Sequence, residues 1–205
     1  MIGLASALFL WQLGHQVLPS TWAFYTMFKF HWSEATVGAS LAFVGAIMAI
    51  STGGLTRVLI PRLGERRAAL LGLLSGATAY LGYSLSTQGW MMFAWMLTWI
   101  FAGLVHPSMV AVMSQQIPPN AQGELQGGVA SLYSISAIAG PPLMTQLFGY
   151  FSSDAAPIRL PGAAFLCSAA LATVAAFVFV RAVRLAASSS RDIVTPTSVP
   201  EAESR

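Results

Sequence analysis

Between Gly3 and Leu185 the chain is laid out as six apolar runs separated by short polar punctuation, and each run is long enough to cross a lipid bilayer. A helix rising 1.5 Å per residue needs about 20 apolar residues to traverse the hydrocarbon core, where no water satisfies backbone N–H and C=O groups. The runs predict an all-α membrane bundle over 1–185, with spans at about 3–28, 34–60, 65–86, 90–117, 122–150 and 162–185. The polar Ser/Pro/Glu stretch 186–205 is expected to be a disordered cytoplasmic tail. With 56% hydrophobic and 8% charged residues, the chain has too few polar side chains to cover a water-facing surface. It begins almost inside its first run, as a piece of a longer protein would, and Met1–Phe9 lacks the basic start of a signal peptide.

Charge placement predicts orientation. An even number of spans puts both ends on one side. That side holds Arg57, Arg62, Arg66, Arg67, Arg181, Arg184, Arg191 and Arg205, against Lys29 and Arg159 on the other. Basic residues are retained on the cytoplasmic face, so both termini are expected there. The same clustering explains the net charge of +3 as a topology signal and implies no nucleic-acid partner. Cys167 is the single cysteine and lies within the last run, which excludes a disulfide framework and a cysteine metal site; no metal or cofactor is expected.

The punctuation follows known helix chemistry. Ser33 is a candidate N-cap with Glu34 in the first turn, Thr87-Gln88-Gly89 a tight turn, and Pro61 and Pro118-Pro119 are stops. Within the spans, Pro19, Pro107 and Pro141 each remove a backbone hydrogen bond and are candidate helix bends. Small residues recur every four positions in Gly45-Ala49-Gly53, Gly72-Gly76 and Gly123-Gly127-Ser131, a spacing that predicts close helix–helix packing.

Polar side chains inside spans mark interior faces or water-filled cavities. In the first run Gln12, His15, Gln16, Pro19 and Ser20 recur at three and four residues and share a face. They are read as the wall of a substrate cavity, the alternative being hydrogen bonds between helices. His106, beside Pro107, is a second intramembrane histidine, and Trp99 is an aromatic surface on which a planar molecule can stack. Because imidazole titrates near neutrality, His15 is a candidate proton carrier. No carboxylate lies deep in any run.

The loop Pro61-Arg62-Leu63-Gly64-Glu65-Arg66-Arg67 resembles the second-half copy of the loop motif of the major facilitator superfamily, with Arg62, Gly64 and Arg66 matching. Phe30-His31-Trp32, Gln88-Gly89-Trp90, Gln122-Gly123-Glu124-Leu125-Gln126-Gly127 and Gly140-Pro141 extend the resemblance to the tetracycline/proton antiporters. The likeness covers about 12–147 and is to the carboxy-terminal six helices of a twelve-helix carrier. It implies one half of that fold, partnered by the amino-terminal six-helix half or by a second chain. The implied activity is drug efflux of a small amphipathic molecule, powered by the proton gradient, in a bacterial inner membrane. Arg62, Gly64, Arg66 and Arg67 are the implied gate loop. Met48 and Gly76 stand where the tetracycline carriers keep a histidine and an acid, so coupling is implied to reside in the partner half. Two other readings remain open: a stand-alone half-transporter acting as a dimer, and an intramembrane protease around Gly72-Leu73-Leu74-Ser75-Gly76, whose spacing departs from G-x-S-G. The favoured reading is not an enzyme.

Overall fold

The computed structural model describes residues 1–154 and 156–192, with side chains through Ala186; among these residues every regular element is a helix. The helices join into six rods. The first is α1 (Ile2–His15) and α2 (Val17–Phe30), divided at Gln16. The second is α3 (Glu34–Ile50), a π-helical segment over Ser51–Leu55, and α4 (Thr56–Leu63). The third is α5 (Glu65–Leu85), and the fourth is α6 (Gly89–Met96), α7 (Trp99–Ala102) and α8 (Val105–Ser114). The fifth is α9 (Gln122–Ser152) and the sixth α10 (Ala163–Asp192).

Segments long and apolar enough to cross a membrane lie in the second, third, fourth and sixth rods. The first rod is divided into two pieces of 14 residues, and α9 is interspersed with Gly, Ser and Gln. Local chemistry sets the ends. The Ser33 side chain accepts from Thr36 N–H at 3.2 Å, capping α3. The Gln122 side chain reaches back to Ser114, donating to its carbonyl at 3.2 Å and closing the end of α8. Pro61 does not stop its rod; α4 continues to Leu63. The carbonyl that its missing N–H would leave open belongs to exposed Arg57, where water can serve. α10 continues past Leu185 to Asp192, since no proline interrupts it before Pro196, and the predicted tail from 193 onward lies outside the described residues.

Interruptions fall one turn before two of the prolines. Pro19 cannot donate to the His15 carbonyl, and the rod breaks at Gln16, whose N–H bonds Leu13 O. Pro107 cannot donate to Gly103, and the rod turns at Gly103–Leu104, where Leu104 N–H bonds Phe101 O. α9 is unbroken through Pro141-Pro142.

The core gathers α1, α5 and α10 with α8 and α9 around them. Tyr25, Tyr80, Tyr83, Phe165 and Phe179 are fully buried. At the end bearing His31, Lys29 Nζ donates to Tyr25 Oη and to the Ser84 carbonyl, and Ser84 Oγ donates to the Gly162 carbonyl, so three rods are tied together. The second rod is peripheral: 22% of its apolar window is buried, against 61% for α5.

The three small-residue stripes differ in fate. Gly72 lies against Phe101 and Val105, and Gly76 against Trp11. Among the described residues, Gly45 and Gly53 on the second rod, and Gly123 and Gly127 on α9, have nothing within 4 Å of an added Cβ. The expectation that all three stripes pack within the bundle is therefore corrected, because the spacing makes a groove without supplying an occupant.

Candidate functional site

A cavity of about 260 Å³ opens between the second and fifth rods, with the first and fourth forming its floor. From α1 come Trp11, Gln12 and His15, which share a face because residues one and four apart lie on adjoining strips of a helix. Met48 and Thr52 line it from the second rod, Thr52 lying within the π-helical segment. Such segments, with one extra residue per turn, recur at functional sites. The fourth rod contributes Trp99, Ala102, Gly103, His106 and Pro107, around the break that Pro107 imposes, and α9 contributes Tyr133.

Aromatic rings dominate one wall. The His15 ring stacks with Trp11 at 6.0 Å and lies 5.3 Å from Trp99, and Tyr80 meets Trp99 edge-on at 5.4 Å. His15 Nδ1 and Tyr80 Oη are hydrogen bonded at 3.0 Å, which fixes the imidazole against α5. Across the cavity, His106 Nδ1 and Tyr133 Oη are hydrogen bonded at 2.5 Å, linking α8 to α9. Among the described residues no Asp, Glu, Lys or Arg lines the cavity. It presents flat aromatic faces and amide, hydroxyl and imidazole edges, which suits orientation of an amphipathic molecule better than neutralisation of a charged one. Among the described residues no three His, Cys, Asp or Glu side chains gather where they could hold a metal ion.

Of the residues singled out in the sequence, Gln12, His15, Trp99, His106 and Pro107 meet here. Gln16 and Ser20 do not line the cavity. One residue past His15 turns the helix by about 100°, so Gln16 faces α9, where its Cβ and Cγ fill the space left by Gly140. The Ser20 hydroxyl donates to the Gln16 carbonyl at 2.6 Å, a bond within its own helix. The loop residues Arg62, Arg66 and Arg67 are exposed at the end of the bundle bearing Gly64. Gly64 alone separates α4 from α5, with φ 77° and ψ 154°. Ser75, the serine of the protease-like motif, donates its hydroxyl to the Thr98 carbonyl at 2.6 Å.

Tyr80, Tyr133 and Thr52 were not singled out from the sequence. Tyr80 had a signal, standing four residues after Gly76 on the face that meets α1; Thr52 had another in the adjacent Gly53-Gly54 pair, which loosens a helix. Tyr133 had none, because only the packing of α9 beside α8 brings it to His106.

The family model of the Major Facilitator Superfamily matches residues 4–201. The class G tetracycline resistance protein of Vibrio anguillarum is 40% identical over 145 residues, covering 71% of this chain and 37% of that protein. The class C tetracycline resistance protein of Escherichia coli is 32% identical over 150 residues, covering 73% of this chain and 38% of that protein. The chain thus spans under two fifths of the length of these curated relatives. The crystal structure of the human organic anion transporter MFSD10 (TETRAN) superposes with a TM-score of 0.74 at 23% identity, over 86% of this chain and 40% of that one, a likeness of fold.

Proposed function

Because the chain belongs to the Major Facilitator Superfamily, a family of multi-pass membrane transporters, we propose that it is one six-helix half of a secondary efflux carrier for small amphipathic molecules. All six rods cross the bilayer in this reading, including the divided first rod and α9. The observation that carries it is the relation between the cavity and the two unpartnered stripes. Met48 and Thr52 on one side and Tyr133 on the other place the cavity between the second rod and α9, the two rods whose small-residue faces touch nothing. A second six-helix body laid across both stripes covers the cavity and supplies its opposite wall. Rocking between the two bodies then exposes the site alternately to each side.

The partner is the amino-terminal half of the same carrier, and the proton gradient is the energy source. Among the described residues no carboxylate lines this wall, so the acid that exchanges protons is assigned to the partner. The excess of arginine on one side supports an orientation with both ends of this half on the cytoplasmic face of a bacterial inner membrane. Transport rather than proteolysis is supported by Ser75, whose hydroxyl is spent on a carbonyl.

The test is drug efflux from inverted vesicles carrying the transporter. Gln12→Leu should abolish efflux while leaving assembly intact. Unchanged efflux would remove the cavity wall from the mechanism. A cysteine at Gly127 in a Cys167→Ser background, combined with single cysteines scanned across the amino-terminal half and treated with an oxidant, distinguishes the partners: disulfide-linked pairs of this chain, with no link to any scanned position of the amino-terminal half, would support the dimer instead.

A further inference from the structure

Beyond the polar cavity, toward the end bearing His31, lies a second and smaller cavity of about 120 Å³. Leu18, Trp22, Val44 and Met96 are among its lining residues. The first, second and fourth rods line both cavities, Leu18 following Trp11 by about two turns, roughly 10 Å along the helix, and Val44 preceding Met48 by one, while Tyr83 of the third rod completes the smaller and Tyr133 of the fifth the larger. Trp99 is the residue that lines both.

The two sides of the smaller cavity are mounted on different kinds of backbone. Trp22 is fixed: its indole N–H donates to Ser40 Oγ at 3.0 Å and its ring meets Tyr83 edge-on at 5.1 Å. Trp99 sits instead on α7, a four-residue helical piece with a turn on each side, at Leu97–Thr98 and Gly103–Leu104. Its neighbours use short-range bonds, Phe101 N–H to Thr98 O and Leu104 N–H to Phe101 O, in place of the α-helical ladder. A segment so mounted can shift locally without unwinding a long helix, although the Trp99 ring itself is packed against Trp11, His15 and Tyr80.

We propose that Trp99 is a partition between two compartments of one groove, and that the smaller compartment takes a single apolar ring. The size supports one ring, since an apolar engineered cavity of about 150 Å³ binds benzene. The compartment lies behind the polar wall, so an amphipathic molecule held by Gln12 and His15 can pass its apolar end beyond Trp99. That role in transport rests on the reading of the polar cavity as a substrate wall.

The test uses the chain in detergent, labelled with 5-fluorotryptophan and followed by fluorine NMR while toluene is added. Its six tryptophans give six reporters, assigned by single Trp→Phe variants. Trp90, 66% exposed, reports toluene in the micelle. We expect saturable shifts at Trp22 and Trp99 that exceed the shift at Trp90 by severalfold, with Trp11 unmoved. Val44→Phe, which fills the compartment, should abolish them while leaving the Trp11 and Trp32 resonances in place. In Trp99→Ala the compartments join, and Trp11 should respond together with Trp22. Shifts at Trp11 and Trp99 without Trp22 would overturn the apolar compartment and still support the polar wall. Shifts no larger than that of Trp90 throughout would overturn the proposal, as would a Trp11 response already present before Trp99 is changed.

Discussion

The Ser51 hydroxyl donates to the carbonyl of Ile100 at 2.6 Å, joining the second rod to the fourth where both depart from α-helical geometry. In a continuous helix that carbonyl would accept from Leu104 N–H, but Leu104 bonds Phe101 instead. The serine therefore satisfies an acceptor that the break before Pro107 sets free.

Ser51→Ala should lower the stability of the bundle by about 1 kcal/mol, the scale of a hydrogen bond between membrane helices. Gly103 makes the contact possible, since an added Cβ would stand 2.3 Å from Ser51 Oγ. Gly103→Ala should cost more than Ser51→Ala, and less when introduced into the Ser51→Ala protein than alone. A double-mutant cycle on thermal midpoints in detergent reads this coupling; additive costs would mean that the two residues act independently.

Gly76→Ala and Gly127→Leu should separate packing from partnership. A Cβ at Gly76 meets the Trp11 ring at 2.3 Å, so Gly76→Ala should destabilise the chain by about 1–3 kcal/mol, the usual cost of overpacking. Gly127 faces open space, and Gly127→Leu should leave the melting of the isolated chain unchanged while efflux by the paired carrier is lost. Normal efflux by that variant would show that the stripe on α9 is not where the partner sits.

At Gly64 the backbone occupies a region nearly reserved for glycine, with φ 77° and ψ 154°. Gly64→Ala should cost about 1–3 kcal/mol. Gly64→Asn should give no rescue, because asparagine favours the left-handed helical basin near ψ of about 45°, far from this value. Urea or thermal melts of the three proteins compare them directly.

Alkaline phosphatase, which matures only outside the cytoplasm, should be active when fused after Gln88 and inactive when fused after Gly64. The reverse pattern would invert the orientation drawn from arginine placement.

The helices were legible where composition changes abruptly, as at Ser33 and at Thr87-Gln88-Gly89, because capping and turn residues act locally. The cavity was half legible. Gln12 and His15 announce themselves as polar groups in an apolar helix, whereas Tyr133 looks like any interfacial tyrosine until α9 brings it to His106. Gln16 was indistinguishable from Gln12 by type, and only the neighbour at Gly140 separates their roles. The glycine stripes carried the least information. A missing side chain records that something comes close, not what it is, so Gly76 and Gly127 read alike although one is filled and the other open.

A single residue, Gly64, stands between α4 and α5, with its N–H bonded to Ile60 O and its carbonyl accepting from Ala68 N–H. Both helices grip it, which leaves no slack at the joint. From that joint α5 runs to Gly76 against the Trp11 ring and Tyr80 against His15, so one glycine stands between the arginine-bearing edge and the helix behind the aromatic wall.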